Sequence, residues 1–469
     1  MPLFLLTLDQ GGHASRATLF DQTHQIVAKS SVNIETQHPY PGWVEHDPDA
    51  MILSLQSAIQ RTLKQVKLPK HAQIIAGIAC QRASMVCWHR PSGRTFSNII
   101  SWQDRRASNI TEHPLASIPQ LTGLRISPHY GAGKMRWCLD HILALQHIPP
   151  TELALAPLMS YLLSMLVEPQ AYGVDPINAA RTLLFNLHHN TWSNTLCEHF
   201  GISRTVLPNI HPCTHAWGNL KQEGRTIPLQ LAMGDQSAAL FCRGQPDDQA
   251  LYINIGTGAF IQKIITNLPH DPSPLLSSLA YSNAATQTYV LEGTVNGAGS
   301  AIEWFLKQYP IDHFFTQLTH WLNDTALIPG WFFNGISGLG SPYWVSDFNS
   351  HFEQSNTLAE KAVALIESIL FLLQRNIEII LANSNDVNKI ILSGGLTQQP
   401  ALRQRLADLS CLPVHCYPEI EATSQGMAQL LNPQPSLDKP TILTPQENLK
   451  LQQRYTYWRQ KMDSWASYT

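Results

Sequence analysis

A strand, a glycine turn and a returning strand open this chain, and the same unit recurs in its second half. The apolar run 3–8 is followed by Asp9 and then by Gly11 and Gly12. A second apolar run covers residues 17–20. Glycine lets the backbone approach a ligand closely and point its N–H groups outward, which suits phosphate oxygens. An aspartate at the strand end is placed to hold Mg²⁺. Alone, such a turn is more typical of an ordinary hairpin.

The second copy makes a ligand site the better interpretation. The apolar run 251–255 leads into Gly256, Thr257 and Gly258 and then into the run 259–265. Single glycine turns are common, whereas two turns of the same kind in the two halves indicate one supersecondary unit used twice. Two such turns facing each other can grip one nucleotide.

A third strand supports this pairing of the halves. Residues 389–392 form a short apolar run that ends at Gly394 and Gly395 and precedes a helical stretch near 401–409. A strand, a double glycine and a helix fit an adenosine-binding shelf, although βα turns with glycine occur in many α/β domains. Strands and helices occur in both halves, so we predict an α/β fold.

Length and composition predict two domains, 1–226 and 227–469. The chain has 469 residues, of which 44% are hydrophobic and 14% charged, enough for two full cores. We place the boundary where polar residues give way to the apolar run 229–233. A long stretch in the second domain, 358–382, carries apolar residues at helical spacing and is predicted to be a core helix.

Charge and cysteine usage limit the partners and the compartment. Lys and Arg number 31 against 34 Asp and Glu, a formal net charge of -3, which gives no basic field for nucleic acid. The eight cysteines are scattered without a C-x-x-C pair, several of them lie inside apolar runs, and they are interpreted as buried, reduced thiols, so we expect a cytoplasmic protein. The apolar start, residues 1–8, is predicted to be a core strand rather than a signal peptide or a membrane span.

An aspartate at another strand end is the candidate proton acceptor. Asp235 follows the apolar run 229–233 and Gly234, and the small residues after it, 237–239, open a helix. A carboxylate there faces the cleft between the halves and can accept a proton. The alternative is a helix N-cap, a position that Asp commonly fills. The local pattern leaves both interpretations open, and they are compatible with each other.

Short motifs spread over nearly the whole chain carry a more specific signal. They are Leu8-Asp9-Gln10-Gly11, Pro41 to Pro48, Gln81-Arg82, Trp102 to Arg106, Ala179 to Asn186, Gly234-Asp235-Gln236, Gly256 to Phe260, Gly338 to Trp344 and Ser393-Gly394-Gly395. Together these motifs resemble those of the FGGY carbohydrate kinases, and among them most closely the glycerol kinases. The sequence Gly-Trp-Val-Glu-His-Asp-Pro, which begins at Gly42, is the most specific of them.

The resemblance implies an actin-like fold of two ribonuclease-H-like domains with an ATP cleft between them, and phosphorylation of a hydroxyl on a small polyol or sugar. Asp235 matches the family's catalytic base, and Asp9 with Asp235 matches the acidic positions around Mg²⁺. In phosphoryl transfer the protein chiefly positions groups and stabilises charge. Family members form homodimers or homotetramers, so the resemblance implies one of these assemblies.

The resemblance also assigns the remaining site residues. On the nucleotide side the matching positions are Gly11, Gly12, His13, Arg16, Gly256, Thr257, Gly299, Glu303, Gly395 and Gln399. In the polyol or sugar pocket they are Arg82, Ala83, Trp102, His129, Asp235, Gln236 and Phe260. For Trp102 and Phe260 the residues alone favour ordinary core packing, because aromatic side chains are so often buried.

Departures from the family pattern bear on activity. Gly12-His13-Ala14 stand where the glycerol kinases have Thr-Thr-Ser, so phosphate-binding hydroxyls give way to a bulkier side chain that is usually neutral at pH 7. Ala83 replaces a glutamate and His129 a tyrosine. The loss of these hydrogen-bonding groups is expected to weaken glycerol binding and to leave space for a larger substrate.

Three functions remain compatible with the sequence. They are an active polyol or sugar kinase, a catalytically weakened sugar- or nucleotide-binding pseudokinase with a regulatory role, and a related actin-like phosphate hydrolase. The retained Asp9 and Asp235 favour the kinase, because a pure binding module has no need of a base beside a magnesium site. The altered first turn favours the pseudokinase.

Overall fold

Two mixed β-sheets that pack against helices organise the chain, which confirms the predicted α/β class. The computed structural model describes residues 2–69, 71–112, 114–221, 224–269, 273–324, 326–384, 386–418, 420–436 and 438–466. Within these residues no helix combines the length and the apolar character needed to cross a bilayer.

The first sheet contains the first glycine turn. Leu3–Gln10 pairs antiparallel with Ala14–Asp21 and parallel with Gln73–Cys80, which in turn pairs parallel with Ile227–Gly234. Among the described residues the sheet has seven strands, in the order Ile26–Asn33, Ala14–Asp21, Leu3–Gln10, Gln73–Cys80, Ile227–Gly234, Thr214–Leu220 and Val167–Glu168. The predicted opening strand is thus a central strand of this sheet.

The second sheet repeats this plan. Ala250–Ile255 pairs antiparallel with Ala259–Ile265 across the second glycine turn and parallel with Lys389–Ser393. Its seven described strands run in the order Leu276–Ser282, Gln287–Val295, Ala259–Ile265, Ala250–Ile255, Lys389–Ser393, Val414–Cys416 and Thr441–Leu443. The predicted recurrence of one strand-turn-strand unit is confirmed.

Smaller sheets and the helices complete the fold. Short strands form a sheet of Glu45–His46, Ile99–Ile100, Met85–His89 and Leu153–Pro157, and the pairs Gly173–Val174 with Asn209–Ile210, Phe185–Asn186 with Thr191–Trp192, and Trp331–Phe333 with His351–Glu353. The described helices are Pro48–Lys64, Ile118–Thr122, Gly131–His141, Leu158–Leu166, Pro176–Ala180, Asn194–His199, Asp235–Leu240, Gly299–Gln308, Phe314–Asn323, Leu358–Ala382, Pro400–Ser410, Ala422–Leu431 and Leu449–Ala466. The predicted core helix is Leu358–Ala382, which is largely buried.

The strand Ile227–Gly234 bears on the division between the domains. It lies inside the first sheet, between Gln73–Cys80 and Thr214–Leu220. A boundary at residue 227 would separate this strand from its hydrogen-bonded neighbours. The change from polar to apolar residues at this point marks the start of a strand. We propose that the first domain continues through the helix Asp235–Leu240.

The two domains are joined by shared packing as well as by the chain. Buried Ile177 and Leu183 of the first domain lie in one apolar cluster with Leu279 and Tyr281 of the second. In addition, the helix Ala422–Leu431 lies between the strands Val414–Cys416 and Thr441–Leu443 of the second sheet along the chain but packs on strands of the first. Residues from both halves of the chain therefore form one interface.

Candidate functional site

The candidate site begins at one edge of the first sheet, where neighbouring parallel strands end. Gln10, Cys80 and Gly234 lie side by side in the register of these strands. Asp9 and Asp235 are each one residue from this row, so both lie at the same edge. Strand ends of a parallel sheet are the usual position for ligands in α/β proteins.

Asp9 is a buried carboxylate with one cation and one further carboxylate beside it. Nη1 of Arg16, on the returning strand, donates to Oδ2 of Asp9 over 3.2 Å. Burial and the negative charge of Asp235 raise the pKa of Asp9 to about 6, against the opposing effect of Arg16. A divalent cation relieves the repulsion between two such carboxylates, so this pair fits Mg²⁺.

Among the described residues, no group of three or more His, Cys, Asp or Glu side chains is arranged to hold a metal ion. Magnesium in phosphoryl-transfer sites is typically bound through one or two carboxylates, with water and substrate phosphates as the other ligands.

Asp235 is the first residue of the helix Asp235–Leu240, and Gly234 is the N-cap residue. The N-cap alternative for Asp235 therefore does not describe this helix. Its Oδ1 accepts the backbone N–H of Gln236 over 2.7 Å. Burial raises the pKa of Asp235, although the charge of Arg82 lowers it. A carboxylate with a raised pKa, at a strand end beside other charged groups, is suited to accept a proton.

The first glycine turn lies against an unsatisfied polar side chain. Gln81 is buried, and neither atom of its side-chain amide has a hydrogen-bond partner among the described residues. A Cβ added at Gly12 would lie 3.5 Å from Oε1 of Gln81, so the amide and the turn are adjacent. An unpaired buried amide beside a glycine turn fits a phosphate group. Gly11 lies in the same turn, and His13 is exposed at it.

The second glycine turn is packed against the start of a helix. The backbone N–H of Gly299 donates to the carbonyl of Gly256 over 2.9 Å, and that of Ser300 donates to Thr257 over 2.9 Å. The structure thus brings Gly256, Thr257 and Gly299 together. Glu303 lies one turn further along the helix Gly299–Gln308 and is exposed.

The third glycine segment borders the second turn. Gly394 has φ of +103°, and a Cβ there would lie 2.5 Å from the carbonyl oxygen of Ile255, so glycine is required for this close approach. Gly395 follows it and starts a short 3₁₀ turn. Gln399 lies further along the chain than Gly395 and is the N-cap residue of Pro400–Ser410. Its Oε1 accepts a hydrogen bond from Thr319 over 2.7 Å.

The aromatic residues of the predicted pocket are not core residues. Trp102 is 44% exposed and Phe260 is 37% exposed, so the core-packing alternative is wrong for both. Nδ1 of His129 lies 3.0 Å from the carbonyl oxygen of Trp102, and burial lowers the pKa of this histidine, which favours the neutral ring. Ala83 is buried and has φ of +63°, a left-handed conformation.

An ion cluster that the sequence analysis missed holds Arg82. Arg82 donates to Oε1 of Gln236 and, from Nη1 over 3.5 Å, to Oε1 of Glu292. Arg181 donates to Oε2 of Glu292, and Nε2 of Gln262 donates to Oε1 over 3.0 Å. Burial alone would raise the pKa of Glu292, yet Arg181 and Arg82 hold it at about 2.

This cluster also connects the two halves of the pocket. Phe260 lies two residues before Gln262 on one strand, so the two side chains share a face. Glu292 belongs to the neighbouring strand, whereas Arg82 belongs to the first domain. In the sequence, Glu292 could have been singled out because it is the one charged residue in the strand 287–295.

Comparisons with known proteins agree with this architecture. The model of the N-terminal domain of the FGGY family of carbohydrate kinases matches residues 4–242, and that of the C-terminal domain matches residues 251–432. A glycerol kinase of Saccharolobus islandicus is 31% identical over 441 residues, which cover 91% of this chain and 87% of the relative. A glycerol kinase of Rippkaea orientalis is 30% identical over 443 residues, which cover 91% and 88%.

Solved structures show the same fold. Plasmodium falciparum glycerol kinase with ADP superposes with a TM-score of 0.89 at 23% identity, covering 99% of this chain and 98% of that one. A xylulose kinase from Brucella ovis superposes with a TM-score of 0.88 at 19% identity, covering 99% and 100%. The actin-like, two-domain fold is therefore confirmed. The chain belongs to the FGGY family of carbohydrate kinases, phosphotransferases that use an alcohol group as the acceptor.

Proposed function

We propose that this chain transfers the γ-phosphoryl group of ATP, with Mg²⁺, to a hydroxyl of a small polyol or sugar, and that Asp235 is the general base. The observation that carries this proposal is the pair of carboxylates, Asp9 and Asp235, at one sheet edge with Arg16 and Arg82 beside them. A base next to a magnesium-binding carboxylate is the arrangement that phosphoryl transfer to a hydroxyl requires.

On the nucleotide side, the chain supplies groups that bind and neutralise phosphates. Asp9 and Asp235 would hold the magnesium ion, which would supply positive charge to offset that of the phosphates. Arg16 and the unpaired amide of Gln81 lie beside the first turn, where their N–H groups can donate to phosphate oxygens. From the other domain, the second turn places Thr257 at the phosphates, and the helix start at Gly299 holds this turn through hydrogen bonds to Gly256 and Thr257.

On the acceptor side, polar groups and exposed rings select a hydroxylated molecule. Trp102 and Phe260 provide apolar faces for the C–H side of a polyol or sugar. Gln236, His129 and Arg82 provide hydrogen-bonding groups around it. Asp235 takes the proton of the acceptor hydroxyl while the oxygen of that hydroxyl forms the new bond to phosphorus. The bond from phosphorus to the bridging oxygen of ADP breaks.

The acceptor of this pocket is larger than glycerol. Ala83 is a methyl group where the resemblance implies a carboxylate, and His129 is a ring with a backbone partner where it implies a tyrosine. Both changes remove hydrogen-bonding capacity and volume near the acceptor. We therefore propose tetritols, pentitols and ketoses as the acceptor class. Glycerol is the acceptor against which they are compared, because the relatives are glycerol kinases.

Location and assembly follow the family expectation. All eight cysteines are free thiols, and this supports the proposed cytoplasmic location. Cys411 is exposed, although the cysteines were predicted to be buried. A homodimer or homotetramer is proposed from the family resemblance alone.

ADP release tests the proposed activity. The purified protein is assayed with Mg²⁺ and ATP against glycerol, tetritols, pentitols, ketopentoses and ketohexoses, and Asp235→Asn is assayed beside it. We expect turnover with at least one acceptor, and a loss of roughly 10²- to 10⁴-fold in kcat for Asp235→Asn because the hydroxyl proton has no acceptor. Binding of ADP to this variant is expected to stay measurable by calorimetry.

Asp312→Asn, at an exposed position of the second domain, is the matched control and is expected to keep the rate. An unchanged rate in Asp235→Asn would remove the base assignment. ATP hydrolysis without any acceptor would indicate the hydrolase, and thermal stabilisation by ligands without turnover would indicate the pseudokinase.

A further inference from the structure

Lys134 is a fully buried lysine beneath the predicted acceptor pocket. It lies in the first turn of the helix Gly131–His141 and is 0% exposed. Its Nζ donates to the carbonyl oxygens of Ala83 over 3.0 Å, Ser101 over 2.8 Å and His129 over 2.7 Å. The three N–H donors of one ammonium group are therefore all used on backbone oxygens.

The three acceptors belong to three of the four segments that carry the predicted pocket residues of the first domain, and the fourth segment carries Asp235 and Gln236. Ala83 lies between the strands Gln73–Cys80 and Met85–His89 and follows Arg82. Ser101 directly precedes Trp102. His129 lies just before the helix that carries Lys134 itself. Segments that are far apart in the sequence thus meet at one nitrogen atom.

This arrangement is costly, which makes a purely space-filling role a poor explanation. Burying an ammonium group is unfavourable unless it is paired and hydrogen-bonded, and an apolar side chain of similar size avoids that cost. Burial, together with the charge of Arg106, lowers the pKa of Lys134 to about 7, whereas Asp104 raises it. The three carbonyl dipoles also favour the ammonium form, since a neutral amine has one donor fewer.

We infer that Lys134 is a positioning residue for the acceptor: it fixes the spacing of Ala83, Trp102 and His129 without touching the acceptor itself. This inference rests on the proposed function of the pocket. The hydrogen bond between His129 and the carbonyl of Trp102 is a second connection between two of these segments. This hydrogen bond and those of Lys134 are all accepted by backbone carbonyls, so they set where the side chains of the pocket lie relative to Asp235.

Lys263 provides a control, because it is a buried lysine in another place. It is 3% exposed, and its Nζ donates to the carbonyl oxygens of Asp248 and Ile264 and, over 3.5 Å, to Oδ2 of Asp386. It lies on the strand Ala259–Ile265 but faces away from Phe260, since residues an odd number apart point to opposite faces. Its replacement measures the structural cost of losing a buried lysine.

The test compares Lys134→Met with Lys263→Met in the full chain, using the best acceptor of the wild-type protein. We expect Lys134→Met to raise the acceptor KM roughly 10- to 100-fold, because displacements of about 1 Å in a binding site carry penalties of this size. The Kd for ADP, measured by calorimetry, is expected to stay near the wild-type value. Lys263→Met is expected to lower Tm and to leave the acceptor KM near wild type.

Lys134→Gln, which keeps two donors, is the second variant and is expected to lie between wild type and Lys134→Met. An acceptor KM that stays at the wild-type value in both variants overturns the inference, and so does an equal weakening of acceptor and ADP binding. Failure of both variants to fold, by circular dichroism, assigns Lys134 to the stability of the domain and also overturns it. A wild-type protein without turnover on any acceptor would instead overturn the proposed function.

Discussion

At the scale of the residue, the proposal that the acceptor is larger than glycerol depends on Ala83 and His129. Ala83 is held by Lys134 through its carbonyl, so a longer side chain at this position projects from a fixed backbone. We predict that Ala83→Glu combined with His129→Tyr raises kcat/KM for glycerol roughly 10-fold or more, because a carboxylate and a phenol restore hydrogen bonds to adjacent hydroxyls. The measurement is initial-rate kinetics with glycerol and with the best acceptor of the wild type.

The same double variant should lose activity on that larger acceptor, since the added groups fill its space. Ala285→Glu, in an exposed turn of the second domain, is the control for an added negative charge and should leave both rates unchanged. A double variant that gains nothing on glycerol would show that positions other than these two set the size of the pocket.

How far the sequence predicts such a site differs between residues. Asp9 and Asp235 follow strand patterns, so their approach at one sheet edge could be predicted from the order of strands and turns. The exposure of Trp102 could not, because an aromatic residue after a short apolar run has the same local pattern in a core and in a pocket. Glu292 lies 210 residues from Arg82, and no local pattern links them.

At the scale of the element, the helix Ala422–Leu431 supports the helix that begins with Asp235. A Cβ added at Gly426 would lie 1.8 Å from the carbonyl oxygen of Ala238, so the two helices touch backbone to backbone at this glycine. Oγ1 of Thr423 also lies 3.4 Å from the carbonyl oxygen of Asp235. This element was not predictable as part of the first domain, because its apolar pattern does not specify which sheet it covers.

We predict that Gly426→Ala separates these helices, lowers Tm and reduces kcat by moving Asp235. Overpacking of this kind costs about 1–3 kcal/mol, which corresponds to a loss of roughly 5 °C in Tm. Differential scanning calorimetry and the ADP-release assay measure the two effects. Gly395→Ala is the control for stability, since an added Cβ there meets no atom within 4 Å. A Gly426→Ala protein with wild-type Tm and kcat would show that the two helices tolerate the separation.

At the scale of the whole molecule, Glu292 links the two domains beneath the pocket. It lies on a strand of the second domain and accepts hydrogen bonds from Arg82 and Arg181 of the first. The recurring strand-turn-strand unit predicts two similar domains but not how they are joined, because an interface depends on residues that are distant in sequence. The buried ion cluster and the shared apolar cluster therefore had to be found in the structure.

The stability that Glu292 contributes depends on pH in a defined direction. Its pKa is about 2 in the folded chain, against an ordinary value of 4.5. The contribution is therefore fully present above pH 4.5 and is lost as the pH falls from there towards 2. A shift of this size corresponds to about 3 kcal/mol between the two protonation states.

We predict that Glu292→Gln lowers Tm markedly at pH 6 and that the difference from wild type narrows steadily towards pH 3. The reason is that Glu292 binds a proton in the unfolded wild-type chain below about pH 4.5 but stays ionised in the folded chain down to about pH 2, so the unfolded state gains stability that the variant's unfolded state does not. Thermal unfolding at several pH values measures the difference, in which the titration of all other groups largely cancels. Glu152→Gln, at a partly exposed ion pair with His89, should change Tm little at any pH. A difference that stays constant between pH 6 and pH 3 would mean that the carboxylate of Glu292 acts through its shape and not through its charge, and the two domains would then be joined mainly by the apolar cluster around Leu279 and Tyr281.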